Sequence, residues 1–219
     1  MNRLAVFDCD GTLVDSQANI CEAMEETFRR AGLTVPARDA VRRIVGLSLT
    51  EAVRELYPAG DADAHRGLAE DYKGCFQAMR ARGVVAEPLF DGISDVIATL
   101  DADGWLLGVA TGKSDRGLGL CLAHHGIAGR FVTLQTADRH PSKPHPSMLL
   151  QAMADAGAEP AGTAMIGDTR YDIAMAKAAG AVAIGVAWGY HQAHELLAEG
   201  ADHVALSPRD LAAILREYR

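Results

Sequence analysis

The sequence predicts an α/β fold: a parallel sheet core with an inserted, all-helical unit. From residue 88 onward, short apolar runs alternate with helical patterns, which is typical of a parallel sheet covered by helices on both faces. Between the first strand and that alternation, residues 16–87 show helical spacing only. We therefore expect a Rossmann-like core formed by residues 1–15 and 88–219, with residues 16–87 as a second, helical domain.

The elements follow in order along the chain. A β-branched and aromatic run, Leu4–Phe7, predicts the first strand. Apolar spacing and start and stop residues then predict the helices of the insert, over 20–31, 39–45, 48–56 and 61–82. In the core, the same signals predict strands over 105–110, 130–134, 163–166, 183–186 and 203–205. They predict helices over 91–100, 114–125, 147–157, 168–179 and 191–197, and one from 208.

Composition limits the classes of partner. The formal net charge is −8, which argues against nucleic acid, because nucleic-acid binders usually present a basic face. It does not exclude an anionic substrate, because a metal ion and a few local cations can reverse the field inside one cleft. No apolar run approaches the length of a membrane span.

The cysteines indicate a reducing compartment. The four thiols form no CxxC pair, so we expect reduced cysteines in a cytoplasmic protein. The chain also enters its first strand without a signal peptide, which favours the same location. Cys9 lies between two acids, but strand alternation turns it away from them, so we expect it to pack in the core.

Two carboxylates, Asp8 and Asp10, follow the first strand. Residues two apart in a strand point the same way, and unpaired carboxylates that face one spot repel each other. A divalent cation removes this repulsion, and Mg²⁺ prefers oxygen ligands. The pair therefore predicts a metal site, a nucleophile with an acid partner, or both.

Three further polar stretches follow predicted strands or lie between them. Thr111-Gly112-Lys113-Ser114 offers a hydroxyl and turn amides before a helix, which suits a phosphate. Lys143 stands between prolines, and Gly167–Asp172 brings two more carboxylates, Asp168 and Asp172, after a strand. Ligands of open parallel sheets lie at the carboxyl ends of the strands, so we expect all four stretches to meet there.

In this order the four stretches resemble the haloacid dehalogenase superfamily. Its DxDGT motif matches residues 8–12, and its Ser/Thr after a strand matches Thr111. Its lysine in a KPxP-like setting matches Lys143, and its GDxxxD motif matches residues 167–172. The helical insert falls where this family carries its type-one cap. The resemblance covers the whole chain, and the branch most resembled is the phosphoglycolate phosphatase-like one.

The resemblance implies a role for each residue. Asp8 is the nucleophile that forms an aspartyl-phosphate, and Asp10 is the general acid and base. Mg²⁺ is held by Asp8, the backbone carbonyl of Asp10, and Asp168. The phosphoryl oxygens are held by the residues Thr111, Gly112 and Lys143. The supporting residues are Thr12, which orients Asp10, and Asp172.

The substrate stays open among small phosphorylated metabolites. Phosphoglycolate, pyrophosphate, sugar phosphates and nucleotides are the alternatives within a phosphatase. A dehalogenase is disfavoured because Asp10 is present. A phosphomutase is disfavoured because residues 17–21 lack the histidine that such enzymes carry in the first cap helix, and a phosphonate hydrolase because residues 16–72 contain no lysine. A non-catalytic protein that keeps the fold is the alternative from another class.

The loop after the second cap helix, residues 43–48, is expected to face the substrate. Arg43 could bind a substrate carboxylate or a second phosphate, or it could be a solvated helix residue, and Gly46 lies at the turn. Linkers near Asp15-Ser16 and Glu87-Pro88 are expected to act as hinges. The sequence does not distinguish a monomer from a homodimer.

Overall fold

The computed structural model describes residues 2–218, which form an α/β fold around one parallel sheet. Among these residues there are six strands, β1 to β6: Asn2–Phe7, Leu106–Thr111, Thr133–Thr136, Ala158–Gly167, Val182–Val186 and His203–Ala205. Their order across the sheet is β3-β2-β1-β4-β5-β6, and every neighbouring pair is parallel. The first strand is therefore central, and the chain runs outward from it on either side.

Alternate residues of β1 supply the two faces of the core. Ala5 and Phe7 pack on one face, and Leu4 and Val6 on the other, all fully buried. The helices that cover these faces run over Ile93–Ala102, Asp115–His124, Ser147–Ala156, Arg170–Ala178, Ala193–Ala198 and Pro208–Glu217, here α5 to α10. The first face is covered by α5, α6 and α10, and the second by α7, α8 and α9. Because both faces are covered, the strands read as continuous apolar runs.

The insert is helical throughout and has its own apolar core. Its helices α1 to α4 run over Gln17–Arg30, Arg38–Arg43, Leu49–Leu56 and Ala62–Ala81. Met24 and Phe28 of α1, Val41 of α2, Val53 of α3 and Leu68 of α4 meet in one buried cluster. A single cluster of this kind accounts for the helical spacing of the sequence.

The two connections between insert and core run side by side. The amide of Asp15 donates to the carbonyl of Pro88 at 2.8 Å, and Val14 forms an antiparallel bridge with Leu89. The chain therefore leaves the core and returns to it at one place, directly beyond β1.

Several predicted boundaries are wrong, each for a local reason. The strand predicted over 130–134 is displaced, because a 3₁₀ turn at Ala128–Arg130 comes first and Gly108 pairs with Thr133. The helix predicted from residue 168 begins at Arg170, since Thr169 and Asp172 form its capping box. The strand predicted over 163–166 extends back to Ala158, where it pairs with Asn2 across an irregularity in register.

Across residues 2–218, no helix combines the length and the apolar character needed to cross a lipid bilayer.

The polar residues that follow the strands gather at one end of the sheet, beneath the insert.

Candidate active site

The carboxylate of Asp8 lies at the centre of the site. The amide of Asp8 continues the ladder by donating to Ile166 at 2.8 Å, so the side chain projects directly beyond the end of β1. It is fully buried, and apart from an ion pair with Lys143 its oxygens accept no hydrogen bond among the described residues. Cys9 points away into the apolar core, as predicted. A buried carboxylate without a hydrogen bond carries a desolvation cost that something must offset.

Three carboxylates converge at this point. Oxygens of Asp8, Asp168 and Asp172 lie within 4.8 Å of one another, and all three side chains are buried. Asp168 is fixed at both oxygens, by the Thr12 hydroxyl at 2.9 Å and the Tyr190 amide at 2.8 Å. Each Asp168 oxygen keeps a lone pair for another partner.

The cation within this cluster is Lys143. Its ammonium lies 3.0 Å from Asp8 and 2.6 Å from Asp172. Burial alone would lower the pKa of Lys143, but the attraction of Asp172 and Asp8 outweighs it, so the pKa of Lys143 is raised and the group stays charged. The other oxygen of Asp172 accepts from the Thr169 hydroxyl at 2.7 Å and the Thr169 amide at 3.1 Å. Both carboxylate oxygens of Asp172 therefore have partners, in keeping with a supporting role.

The charges of this cluster fit a divalent cation. Burial raises the pKa of Asp8 to about 7, and Asp172 and Asp10 add to the effect, while Lys143 opposes it. Burial, followed by repulsion from Asp8, also raises the pKa of Asp168. Three carboxylates beside one ammonium leave two negative charges uncompensated. A hard divalent ion with oxygen ligands would offset both and could take Asp8 as a ligand.

Glycine is required where the backbone passes close to Asp168. Gly11 has φ +86°, and a Cβ there would overlap the Asp168 carboxylate and the Tyr190 ring. Gly189 touches the other side of Asp168, where a Cβ would meet the same carboxylate. The DxDGT turn therefore carries a glycine for both conformational and steric reasons.

Asp10 belongs to a second polar group, which the sequence did not reveal. The Ser16 hydroxyl donates to the Asp10 carboxylate, and the ammonium of Lys113 lies 2.8 Å from it. Lys113 also contacts Glu87 at 2.9 Å, and Glu87 accepts from Arg80 at 2.6 Å. Lys113 directly follows Thr111-Gly112 in the chain, which is the one local signal that could have identified it.

Thr12 is predicted to orient Asp10, and this detail is wrong. Its hydroxyl contacts Asp168, while Ser16 takes the position beside Asp10. Thr12 directly follows the turn at Gly11, and its hydroxyl reaches the acid that follows β4.

Thr111 and Gly112 lie at the end of β2, against the insert. Thr111 is buried, and its hydroxyl accepts from the Lys113 amide at 3.3 Å. A Cβ at Gly112 would overlap the carbonyl oxygen of Leu47, so the loop of the insert rests directly on this turn. The Ser48 amide strengthens that contact by donating to Ser142 at 2.8 Å.

Within the loop at 43–48, the two predicted specificity residues differ in position. Gly46 lines the cavity, with φ +98°. Arg43 is not among the lining residues, and its exposed guanidinium instead forms an ion pair with Glu195 at 2.7 Å. The carbonyl of Arg43 accepts from the ring of His191 at 3.3 Å. Arg43 therefore connects the insert to α9 and does not point at the space where a substrate would lie.

A cavity of about 740 Å³ lies between the insert and the end of the sheet. Asp8, Asp10, Thr111 and Gly112 form its floor, and Lys113 is beside them. Its size falls within the range of sites that enclose small organic ligands. The geometry thus combines a buried carboxylate, an acid partner and fixed cations beneath a roofed space.

Known proteins share this sequence and this fold. The family model described as haloacid dehalogenase-like hydrolase matches residues 5–186. A Dickeya dadantii protein named "Probable phosphatase IndB" is 37% identical, over 90% of this chain and 86% of its own. A phosphoglycolate phosphatase of Pseudomonas putida is 32% identical, over 97% of this chain and 78% of its own. A Mycobacterium tuberculosis tyrosine-protein kinase is 32% identical, but only 64% of that protein is spanned.

A solved structure agrees closely with the fold. The crystal structure of a predicted phosphatase from Clostridium acetobutylicum superposes with a TM-score of 0.89 at 25% identity, covering 99% of both chains. Sequence and fold therefore lead to the same result. The chain belongs to the haloacid dehalogenase-like hydrolase family, and it is an enzyme, a phosphatase.

Proposed function

We propose that this phosphatase is Mg²⁺-dependent and hydrolyses a small phosphorylated metabolite through an aspartyl-phosphate on Asp8. One observation carries the proposal: the carboxylate of Asp8 is fully buried, has Lys143 as its one ion-pair partner among the described residues, and borders both the acidic cluster and the cavity. A group placed in this way is available for a metal and for a phosphorus atom at the same time.

Asp8 and Asp10 divide the covalent chemistry. One oxygen of Asp8 attacks phosphorus, the bond from phosphorus to the ester oxygen breaks, and the leaving alkoxide takes a proton from Asp10. A water molecule then gives a proton to Asp10 and attacks the same phosphorus. The bond to Asp8 breaks, inorganic phosphate leaves, and both carboxyl groups return to their starting states. Acid–base assistance of this kind typically supplies about 10²–10⁴-fold in rate.

The metal would be held by Asp8, Asp168 and the backbone carbonyl of Asp10. When bound, Mg²⁺ supplies positive charge beside the transferring phosphoryl group. Thr12 and the Tyr190 amide hold Asp168 in position for this role. Asp172 supports the site by fixing the ammonium of Lys143.

The phosphoryl oxygens would meet Thr111, the Gly112 amide and Lys143. Lys143 is buried and stays charged, so its field acts at short range without screening by water. Such groups stabilise charge as it shifts in the transition state, because they are already oriented before the reaction.

The insert, residues 16–87, would act as a cap on a core of residues 1–15 and 88–219. Its loop rests on Gly112 and Ser142, so the cavity is roofed in this structure. Opening at the paired linkers would admit substrate, and closure would exclude water from the first phosphoryl transfer. We also propose that the protein is cytoplasmic and that it is either a monomer or a homodimer.

The experiment measures release of inorganic phosphate from a panel of esters, with Mg²⁺ or with EDTA. Phosphoglycolate, which the resemblance favours and which the Pseudomonas putida relative is named for, enters beside sugar phosphates, nucleotides and pyrophosphate. We expect release with Mg²⁺ and none with EDTA. Equal release under both conditions would remove the metal from the proposal, and no release from any ester would favour a non-catalytic role.

A further inference from the structure

The roof of the cavity is apolar next to the catalytic floor. The side chains that line it from the insert are largely hydrocarbon or aromatic, among them Ile20, Met24, Ile44, Leu47, Tyr72 and Phe76. A substrate whose phosphorus lies at Asp8 must direct its leaving group into this space. A two-carbon group such as glycolate would leave most of the roughly 740 Å³ unfilled.

Two aromatic rings line the cavity beside Lys113. The ring of Phe76 is centred 5.9 Å from the ammonium of Lys113, which in turn lies 2.8 Å from the carboxylate of Asp10. Tyr72, one helical turn earlier on α4, has its ring centred 6.0 Å from that of Phe76. Since Asp10 must reach the ester oxygen, a bulky leaving group that extends past Lys113 would come to these rings.

Most of the cations that line the cavity are already held by an acid, which leaves little positive charge for an anionic leaving group. Lys113 is shared between Asp10 and Glu87, and Arg80 is bound to Glu87. Lys73 pairs with Glu70 at 2.7 Å. Arg116 also lines the cavity, but it is exposed to solvent, where a contact with a carboxylate contributes little.

We infer that the substrate is a phosphate monoester whose leaving alcohol carries a neutral, bulky, apolar or aromatic group that contacts Tyr72 and Phe76. This inference rests on the proposed phosphatase function and adds the chemical class of the leaving group. Hydrolysis remains balanced: ester and water give the alcohol and inorganic phosphate. Phosphoglycolate, small and carrying a second negative charge, fits the cavity poorly.

The test compares esters of primary alcohols in the wild-type enzyme with Mg²⁺. The probes are ethyl phosphate, 2-phenylethyl phosphate and phosphoglycolate. The first two are both esters of primary alcohols, so the ratio of their kcat/KM values reports the contacts that the enzyme makes with the phenyl ring of the substrate. We expect 2-phenylethyl phosphate to be favoured by about 10- to 100-fold, the effect of burying one aromatic group.

A pair of variants locates the contact. Phe76→Ala should lower that ratio by about ten-fold, and Phe76→Leu, which keeps an apolar surface, by less. Val84→Ala, which trims an exposed apolar side chain outside the cavity, should leave the ratio as in the wild type. Thermal unfolding of each variant is the control that tests whether the cap remains folded.

The outcomes separate this inference from the proposed function. Hydrolysis of all three esters at similar kcat/KM, or a preference for phosphoglycolate, would overturn the inference and leave the phosphatase proposal intact. An unchanged ratio in a folded Phe76→Ala variant would overturn the assignment to the aromatic pair. Failure to hydrolyse any ester would count against the proposed function itself.

Discussion

The ammonium of Lys113 lies 2.8 Å from the carboxylate of Asp10, although the two residues belong to different strand ends. Burial would lower the pKa of Lys113, but attraction by Asp10, together with the other acids around it, raises the pKa well above its usual value. Lys113 is therefore a fixed positive charge beside the proposed general acid. Lys113 also forms an ion pair with Glu87, which lies in the segment where the chain returns from the helical insert to the sheet.

Replacing Lys113 with methionine should lower kcat about 10- to 100-fold, a part of what acid–base catalysis supplies. The cause is loss of the contact that orients Asp10, so Lys113→Arg should recover part of the rate. Steady-state kinetics with Mg²⁺ measure the effect. Lys177→Met is the matched control, because Lys177 pairs with Asp202 at the surface. A Lys113→Met enzyme with wild-type kcat would show that Lys113 does not position Asp10.

Asp8→Asn should abolish turnover, with a loss in kcat greater than about 10³-fold. An amide cannot serve as the nucleophile, and it would also weaken the metal site. The control is Asp101→Asn, since Asp101 makes a surface pair with Arg130 far from the cavity. Steady phosphate release by a folded Asp8→Asn protein would refute the role of Asp8 as nucleophile.

Asp168→Ala should raise the Mg²⁺ concentration needed for half-maximal activity by at least about ten-fold. Thr12→Val should raise it by less, because this change removes only the hydroxyl that donates to Asp168. Titration of activity with Mg²⁺ gives both values. The same half-maximal concentration in the Asp168→Ala variant and the wild type would exclude Asp168 from the ligands.

In metal-free protein, the contribution of Asp8 to stability should fall as the pH rises from about 4 to about 7. The folded state raises the pKa of Asp8 to about 7 from an ordinary value of 3.8, so it binds a proton that the unfolded chain has already lost. The stabilising contribution is complete below about pH 4 and is lost as the pH rises through about 7. Mg²⁺ replaces that proton and should therefore raise Tm more at about pH 8 than at about pH 5.

Thermal unfolding in EDTA and in Mg²⁺ at these two pH values tests this linkage. In Asp8→Asn, the Mg²⁺-induced rises in Tm at the two pH values should differ less than in the wild type, because the titrating carboxyl group is gone. An equal rise in Tm at both pH values in the wild type would argue that Mg²⁺ does not bind at the buried carboxylates.

Gly11→Ala should lower both stability and activity, whereas Gly32→Ala should lower stability only. Both glycines have positive φ, +86° and +67°, which costs an alanine about 1–2 kcal/mol. A Cβ at Gly11 would also overlap the Asp168 carboxylate, while a Cβ at Gly32 meets nothing within 4 Å. Comparing kcat and Tm of the two variants isolates the steric effect on Asp168. Equal kcat values would show that the turn can adjust without moving the acid.

The class of fold and the main site residues follow from local patterns. The alternation of apolar runs with helical spacing is a property of neighbouring residues, and it records which faces are buried. Asp8, Thr111 and Asp168 each follow or end a strand of a parallel sheet, so topology alone brings them to one edge. The helical insert is predictable because its four helices follow one another with no strand between them.

The fold class, the family motifs and the edge of the sheet at which the site lies can therefore be predicted from the amino-acid sequence. The pairing of polar groups cannot: Lys113 with Asp10, Thr12 with Asp168, and Arg43 with Glu195 become apparent in the folded chain. The same holds for the cavity roofed mainly by apolar side chains. The physical reason is that hydrophobic patterning specifies the buried face of each element, whereas the partner of a long polar side chain depends on how separate elements pack.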